Sequence, residues 1–172
     1  GRSLVAAGSY DGTVALYESD SCELVDRLEG PTDVEFLKFH PKGGTVLLAG
    51  STDGTAWMYH VPTSRCLQVF VGHESAPGGD DGGGGGGGVT AGDFTPDGRS
   101  AVTVGADGTI RLWAPKTGAC KHVFRPPSGT TGGGGGGVEG EEFGGGLTCL
   151  AVGGGADGQL AIAGGEDGTA RV

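Results

Sequence analysis

The chain has 172 residues, of which 41 are glycine and 8 are proline, so these two residue types make up more than a quarter of it. About half of the glycine is concentrated in residues 74–88 and 126–146, and the remainder has the apolar patterning of a folded chain. The net charge of −10 argues against direct binding to nucleic-acid phosphates and favours a basic protein or peptide as partner. No apolar run is long enough to cross a bilayer, so no membrane association is expected.

The four cysteines do not form a metal or redox motif. Cys22, Cys66, Cys120 and Cys149 are widely separated, and no Cys-x-x-Cys pair occurs. We therefore expect no metal site, no cofactor and a reducing intracellular environment. The expected location is the cytoplasm, with the nucleus as the alternative. The sequence also lacks nucleophile-elbow, zinc-protease and phosphate-loop motifs, so no enzyme activity is predicted.

A repeated turn signal organises the chain. The sequence x-Asp-Gly-Thr occurs four times, and its aspartates are Asp11, Asp53, Asp107 and Asp167. Asp-Gly between apolar runs predicts a tight hairpin, because Gly accepts a positive φ and Asp can bond its own backbone. Without the two glycine-rich tracts, the turns recur about every 40 residues. We therefore interpret residues 74–88 and 126–146 as Gly-rich insertions into a repeat.

Each complete repeat contains four short strand patterns and no helical pattern. In the second repeat these patterns cover residues 34–39, 45–49, 55–59 and 66–70. Four strands in about 40 residues predict one blade of a β-propeller. The units are residues 3–30, 31–73, 89–125 and 147–172, which gives about three and a half blades of an all-β fold. Because such an arc exposes apolar blade faces, we expect a fragment of a larger propeller.

The third unit resembles the WD-repeat (WD40) family, and this resemblance implies seven blades in the whole propeller. In that family four side chains form a hydrogen-bonded set, and the matching residues here are His73, Thr103, Asp107 and Trp113. The set is chemically consistent, because indole can only donate, carboxylate can only accept, and hydroxyl and imidazole can do both. In the second unit Pro31 replaces the histidine and Tyr59 the tryptophan. Only the third blade should therefore carry a complete set, which we interpret as a structural lock and not as a catalytic trio.

A narrower resemblance covers residues 33–73. The motifs Phe39-His40-Pro41 and Trp57-Met58-Tyr59 resemble the angio-associated migratory cell protein family, whose members include a dedicated chaperone for a large-subunit ribosomal protein. The resemblance implies a non-catalytic binding platform that holds a basic ribosomal protein during large-subunit assembly. The alternative is a general scaffold or adaptor in signalling or ubiquitin ligation. No homo-oligomer is expected for the full-length protein.

The candidate partner-binding residues belong to one rim of the predicted propeller. Residues that precede the turn aspartates should crowd this rim, and strand-start and linker residues should lie beside them. Several are acidic, which suits a basic client segment. The candidates are Tyr10, Asp33, Glu35, Thr52, Glu74 and Glu166.

Overall fold

A computed structural model describes residues 3–74, 88–125, 146–155, 158–166 and 168–172. These residues form 14 strands in four antiparallel sheets, as the sequence predicts for an all-β propeller fragment. A single 3-10 turn at Val61–Thr63 is the only helical element of the described ranges. No helix in this part of the chain is long and apolar enough to span a membrane.

The four sheets, here called blades 1 to 4, are simple meanders in which each strand pairs with the next in the chain. Blade 1 contains β1 (Leu4–Gly8), β2 (Val14–Glu18) and β3 (Leu24–Leu28). Blade 2 contains β4 (Phe36–Phe39), β5 (Val46–Gly50), β6 (Thr55–His60) and β7 (Arg65–Val71). Blade 3 contains β8 (Val89–Phe94), β9 (Ala101–Gly105), β10 (Ile110–Trp113) and β11 (Cys120–Phe124). Blade 4 contains β12 (Leu147–Gly155), β13 (Gly158–Gly165) and β14 (Ala170–Arg171).

The apolar core lies between consecutive blades. One cluster joins blades 1 and 2, a second joins blades 2 and 3, and a third joins blades 3 and 4. Because successive side chains of a strand point to opposite faces, the neighbours Leu47 and Leu48 enter different clusters and are both fully buried. The inner strands of blade 2 are therefore apolar on both faces, which explains their continuous apolar runs.

The Asp-Gly-Thr turns are three-residue hairpin loops. In the first turn the Ser9 amide donates to the Thr13 carbonyl at 3.0 Å, and the Gly12 amide donates to the Ser9 carbonyl at 3.1 Å. Gly12 has a φ of 82°, a left-handed conformation that favours glycine. The turns at Asp53 and Asp107 repeat this pattern. Asp167 lies outside the described residues, as do residues 75–87 and 126–145 of the two Gly-rich segments.

Candidate functional site

The structure brings the four members of the predicted hydrogen-bonded set together in blade 3. Trp113 Nε1 donates to Thr103 Oγ1 at 2.8 Å, and Thr103 Oγ1 lies 2.7 Å from His73 Nε2. His73 Nδ1 lies 3.1 Å from Asp107 Oδ1. Trp113 and Thr103 are on adjacent strands, whereas His73 comes from the link after blade 2 and Asp107 from the hairpin turn. The set therefore ties the chain entering blade 3 to its turn and two of its strands.

The hydrogen-bond partners of His73 indicate where the protons of this chain of bonds lie. Asp107 can only accept, so His73 Nδ1 must carry a proton. The indole of Trp113 can only donate, so Thr103 accepts from it and gives its own proton to His73 Nε2. With a proton on Nδ1, the imidazole satisfies every group in this chain of bonds.

Asp107 is the most heavily used acceptor of the set. Its Oδ1 accepts from the amide and the hydroxyl of Thr109 at 3.0 and 2.7 Å, and its Oδ2 accepts from the Glu74 amide at 3.2 Å. The guanidinium of Arg111 lies 3.7 Å from Oδ2. Burial opposes the charge of Asp107, but the hydrogen bonds from His73 and Thr109 hold the pKa of this carboxyl well below its usual range.

This arrangement is a structural lock and offers no reactive group to solvent. The side chain of His73 is 1% exposed and that of Asp107 is 8% exposed. Thr103 is fully buried and its hydroxyl is already committed to His73. Among the described residues, no cluster of three His, Cys, Asp or Glu side chains could hold a metal ion.

Blade 2 has a different set, which sequence reasoning missed. Pro31 and Ala49 stand where the lock has its histidine and strand hydroxyl, so the turn carboxylate of Asp53 keeps the bond from the turn threonine, Thr55 Oγ1 at 2.5 Å, that Asp107 also receives from Thr109. Trp57 Nε1 in turn donates to Thr55 Oγ1 at 2.8 Å. The threonine that follows Asp-Gly in every repeat is the signal that could have predicted this second set.

Tyr59 occupies the position in blade 2 that Trp113 has in blade 3. It is 1% exposed, and its hydroxyl donates to the carbonyl of Glu29 at 3.2 Å. Burial raises the pKa of Tyr59, so the hydroxyl remains a donor at physiological pH. Trp57 stacks on Tyr59 with ring centroids 6.3 Å apart and packs against the core between blades 1 and 2.

The hairpin turns and the strand starts beside them form one surface of the molecule, which we call the turn rim. It comprises residues 9–13, 33–35, 51–55, 74, 88–89, 105–109, 146 and 165–166. Backbone bonds connect it across the blades: the Val34 amide donates to the Ser9 carbonyl at 3.1 Å, and the Val89 amide donates to the Ser51 carbonyl at 3.0 Å. The first strand of a blade therefore starts against the turn of the preceding blade.

The ends of the Gly-rich segments also belong to the turn rim. The Ala106 amide donates to the Gly88 carbonyl at 3.0 Å, and the Glu166 amide donates to the Gly146 carbonyl at 2.9 Å. Glu74 bonds to Asp107 through its amide. These three residues, which the sequence analysis assigns to insertions or to their boundary, are thus hydrogen-bonded to the blades.

All six candidate partner-binding residues lie on the turn rim, but they differ in what their side chains do. Asp33 is half-buried, and its carboxylate accepts from the amide of Thr52 at 3.1 Å and from the hydroxyls of Thr52 and Ser51. Asp33 and Thr52 thus bind each other and fix the second turn. The sequence predicts both residues as surface groups, because no local pattern records that the start of β4 lies against this turn.

The remaining four candidates are exposed to solvent. Tyr10 is 80% exposed at the tip of the first turn. Glu35, Glu74 and Glu166 are also exposed, and the backbone amide of each is fixed by a hydrogen bond to a residue of the rim or next to it. The turn rim therefore presents carboxylates from blades 2 and 4 and from the link into blade 3, on a backbone that is already ordered.

Comparison with known proteins gives a consistent family relationship. The WD domain, G-beta repeat family profile matches residues 22–60 and 78–114. Angio-associated migratory cell protein of Homo sapiens is 35% identical over 169 residues, which is 98% of this chain and 32% of that protein. Polycomb protein esc of Drosophila virilis is 30% identical over 120 residues, covering 69% of this chain and 26% of that protein.

A third relative comes from yeast. U3 small nucleolar RNA-associated protein 21 of Saccharomyces cerevisiae is 28% identical over 119 residues, which is 69% of this chain and 11% of that protein. The chain spans about a third or less of the length of these curated relatives.

Solved structures show the same fold at low sequence identity. The crystal structure of the computationally designed Ika4 protein has a TM-score of 0.67 and 21% identity, and covers 99% of this chain and 84% of that chain. The designed Ika8 protein gives a TM-score of 0.68 at 20% identity, covering 99% of this chain and 42% of that chain. These similarities support the propeller-blade architecture alone.

Proposed function

The chain belongs to the WD-repeat proteins, and we propose that its turn rim holds a basic segment of a client protein. WD-repeat proteins are a family of protein-interaction scaffolds, and this chain is homologous to angio-associated migratory cell protein. The proposed client is a ribosomal protein of the large subunit, held in the cytoplasm until assembly. WD-repeat proteins generally act without catalysis, and the buried lock of blade 3 suits that role.

The observation that carries this proposal is the set of exposed carboxylates on a fixed backbone. Glu35, Glu74 and Glu166 reach solvent, whereas the carboxylates of Asp33 and Asp107 are used inside the fold. Arg111, which lies just beyond the rim at the start of β10, is already paired with Asp107, and its side chain is 12% exposed. The negative charge of the exposed glutamates is therefore available to a partner.

The exposed aromatic side chain of Tyr10 adds to this preference. A tyrosine face attracts the guanidinium of Arg or the ammonium of Lys, and aromatic residues are common anchors in protein interfaces. Carboxylates together with an aromatic ring suit a segment rich in Lys and Arg. Because these contacts are exposed charge pairs, they should set the salt dependence and association rate of the complex.

The test compares two double charge reversals in the intact protein. Glu35→Lys with Glu74→Lys alters the turn rim, and Asp20→Lys with Glu23→Lys alters the exposed loop between β2 and β3 by the same charge. We expect the rim variant to lower affinity for a synthetic Lys/Arg-rich peptide by about tenfold or more, and the loop variant to leave it nearly unchanged. Asp33 is not altered, because its carboxylate holds the second turn.

Pulldown from cell extract with the same proteins identifies the client. A large-subunit ribosomal protein should dominate the wild-type and loop-variant samples and be lost from the rim variant. Ligase or kinase subunits as the dominant partners would support the adaptor function instead. Equal peptide binding by both variants, or no weakening between about 50 and 500 mM salt, would show that the rim charge serves solubility only.

A further inference from the structure

Grooves lie between the blades at the edge opposite the turn rim. Two of them are built from equivalent elements: the preceding blade contributes its last three strands, and the following blade contributes its first hairpin and the loop after its third strand. Groove 1–2 lies between blades 1 and 2 and has a volume of about 680 Å³. Groove 2–3 lies between blades 2 and 3 and has the same volume of about 680 Å³.

The two grooves differ in charge. Groove 2–3 is lined by Arg99, Lys116 and Lys121, and none of the described residues that line it is acidic. Groove 1–2 is lined by no cation among the described residues and contains the carboxylate of Asp26. Because the two grooves share their architecture, the repeat itself does not require the three cations. Their concentration is notable in a chain with a net charge of −10.

The fold uses only part of this positive charge. Lys121 Nζ donates to Ser100 Oγ at 2.8 Å, which fixes its position at the groove wall. The side chain of Arg99 is 86% exposed, and its guanidinium lies 3.9 Å from the Asp97 carboxylate. Lys116 is also exposed. Exposed cations on a concave surface create a positive potential that attracts an anionic partner.

The floor of groove 2–3 is apolar. Met58 and Phe94 form its buried part, with exposures of 6% and 2%, and Leu67 on its wall is 49% exposed. Methionine adapts its shape to different apolar groups. An apolar floor beneath a cationic edge suits a peptide that has both a hydrophobic side chain and carboxylates better than it suits an isolated phosphate.

His40 makes this groove rigid across the blade junction. Its Nε2 donates to the Gly98 carbonyl at 3.1 Å, its Nδ1 accepts from the Lys42 amide at 3.2 Å, and its ring meets the edge of Phe94 at 4.8 Å. These contacts join the first strand of blade 2 to the first hairpin of blade 3. The groove is thus formed before a ligand arrives, which lowers the entropic cost of binding.

We infer that groove 2–3 binds a short acidic segment of a partner protein, which places an apolar side chain on Met58 and Phe94 and its carboxylates near Arg99, Lys116 and Lys121. This surface is separate from the turn rim and has the opposite charge. The protein then binds a basic segment at one edge of its blades and an acidic segment at the other.

The test uses fluorescence anisotropy with the intact protein and a labelled 12-residue peptide of Asp and Glu around a central Leu-Phe pair. Arg99→Glu with Lys116→Glu should weaken binding by about tenfold or more, and Leu67→Ser should weaken it several-fold. Arg27→Glu with Arg65→Glu is the matched control, since both arginines are exposed and neither lines groove 2–3. Lys121 is kept, because it bonds to buried Ser100.

Four results would contradict the inference. The first is absence of peptide binding to the wild-type protein, and the second is equal loss in the groove and control variants. The third is that a 12-nucleotide single-stranded RNA binds the wild-type protein as tightly as the peptide does and no longer binds the groove variant. This result would assign the groove to nucleic acid. Retained affinity when Leu-Phe is replaced by Gly-Ser would equally contradict the apolar anchor.

Discussion

Blades 2 and 3 have the same strand order and the same hairpin turn, but the aspartate and threonine of that turn are linked to different side chains. In blade 3 the carboxylate of Asp107 is linked through His73 and Thr103 to the indole of Trp113. In blade 2 the carboxylate of Asp53 is linked through Thr55 to the indole of Trp57. The backbone of the turn is thus set by the Asp-Gly pair and the strand pairing, and the polar set around it can be exchanged.

The hydrogen-bonded groups of blade 3 are more deeply buried than those of blade 2. The set in blade 3 passes through fully buried Thr103 and a His73 side chain that is 1% exposed. In blade 2, Asp53 is exposed and Trp57 is half-buried, so water can replace a lost partner. Leaving a buried polar group unpaired costs about 1–3 kcal/mol, whereas an exposed one costs far less. Equivalent substitutions should therefore be more damaging in blade 3 than in blade 2.

Trp113→Ala should have the largest effect. It removes a side chain that is 2% exposed, leaves a cavity against Phe70 and takes the indole donor from Thr103. We expect the free energy of unfolding to fall by about 3–5 kcal/mol, measured by urea denaturation of the intact protein. A loss below about 1 kcal/mol would show that the lock contributes little to the stability of blade 3.

Asp107→Asn and Asp53→Asn form a matched pair of intermediate size. An asparagine at residue 107 would direct an amide N–H₂ toward the Glu74 amide and the Arg111 guanidinium, which are both donors. At residue 53 the corresponding partner is the hydroxyl of Thr32, which can rotate and accept. We expect losses of about 2 kcal/mol for Asp107→Asn and less than about 1 kcal/mol for Asp53→Asn in urea. Equal losses would contradict the different partner sets.

The effect of Asp107→Asn should depend on pH. The pKa of Asp107 is lowered in the folded protein, so its ionised form stabilises the fold above the usual pKa of the unfolded chain, and this stabilisation is lost as the pH falls. The difference in unfolding free energy between wild type and Asp107→Asn should therefore be largest near neutral pH and shrink below about pH 4. If this difference in unfolding free energy grew on acidification, the pKa of Asp107 could not be lowered in the folded protein.

Tyr59→Phe should have a much smaller effect than Trp113→Ala. The change keeps the buried ring and its stack on Trp57, and it removes one hydrogen bond, to the carbonyl of Glu29. We expect a loss of about 1 kcal/mol, well below that of Trp113→Ala. Comparable losses from the two substitutions in the same urea series would mean that Tyr59 anchors blade 2 as firmly as Trp113 anchors blade 3.

The sequence by itself determined the features that depend on neighbouring residues. Asp-Gly-Thr predicts the turns because glycine and aspartate favour this backbone locally, and the short apolar runs predict strands. The resemblance to the WD-repeat family predicts the hydrogen-bonded set of His73, Thr103, Asp107 and Trp113. The donor and acceptor groups of these side chains are consistent with it. These signals gave the all-β architecture, the blade pattern and the lock of blade 3.

Only the tertiary structure decided which separate segments lie side by side. It placed Asp33 against Thr52, so that a predicted surface carboxylate became part of a turn. It also placed Arg99, from the first hairpin of blade 3, and Leu67, from the outer strand of blade 2, on the same groove. Such neighbours come from distant parts of the chain and meet because the blades stack through their apolar faces, a long-range effect that no local pattern of residues records.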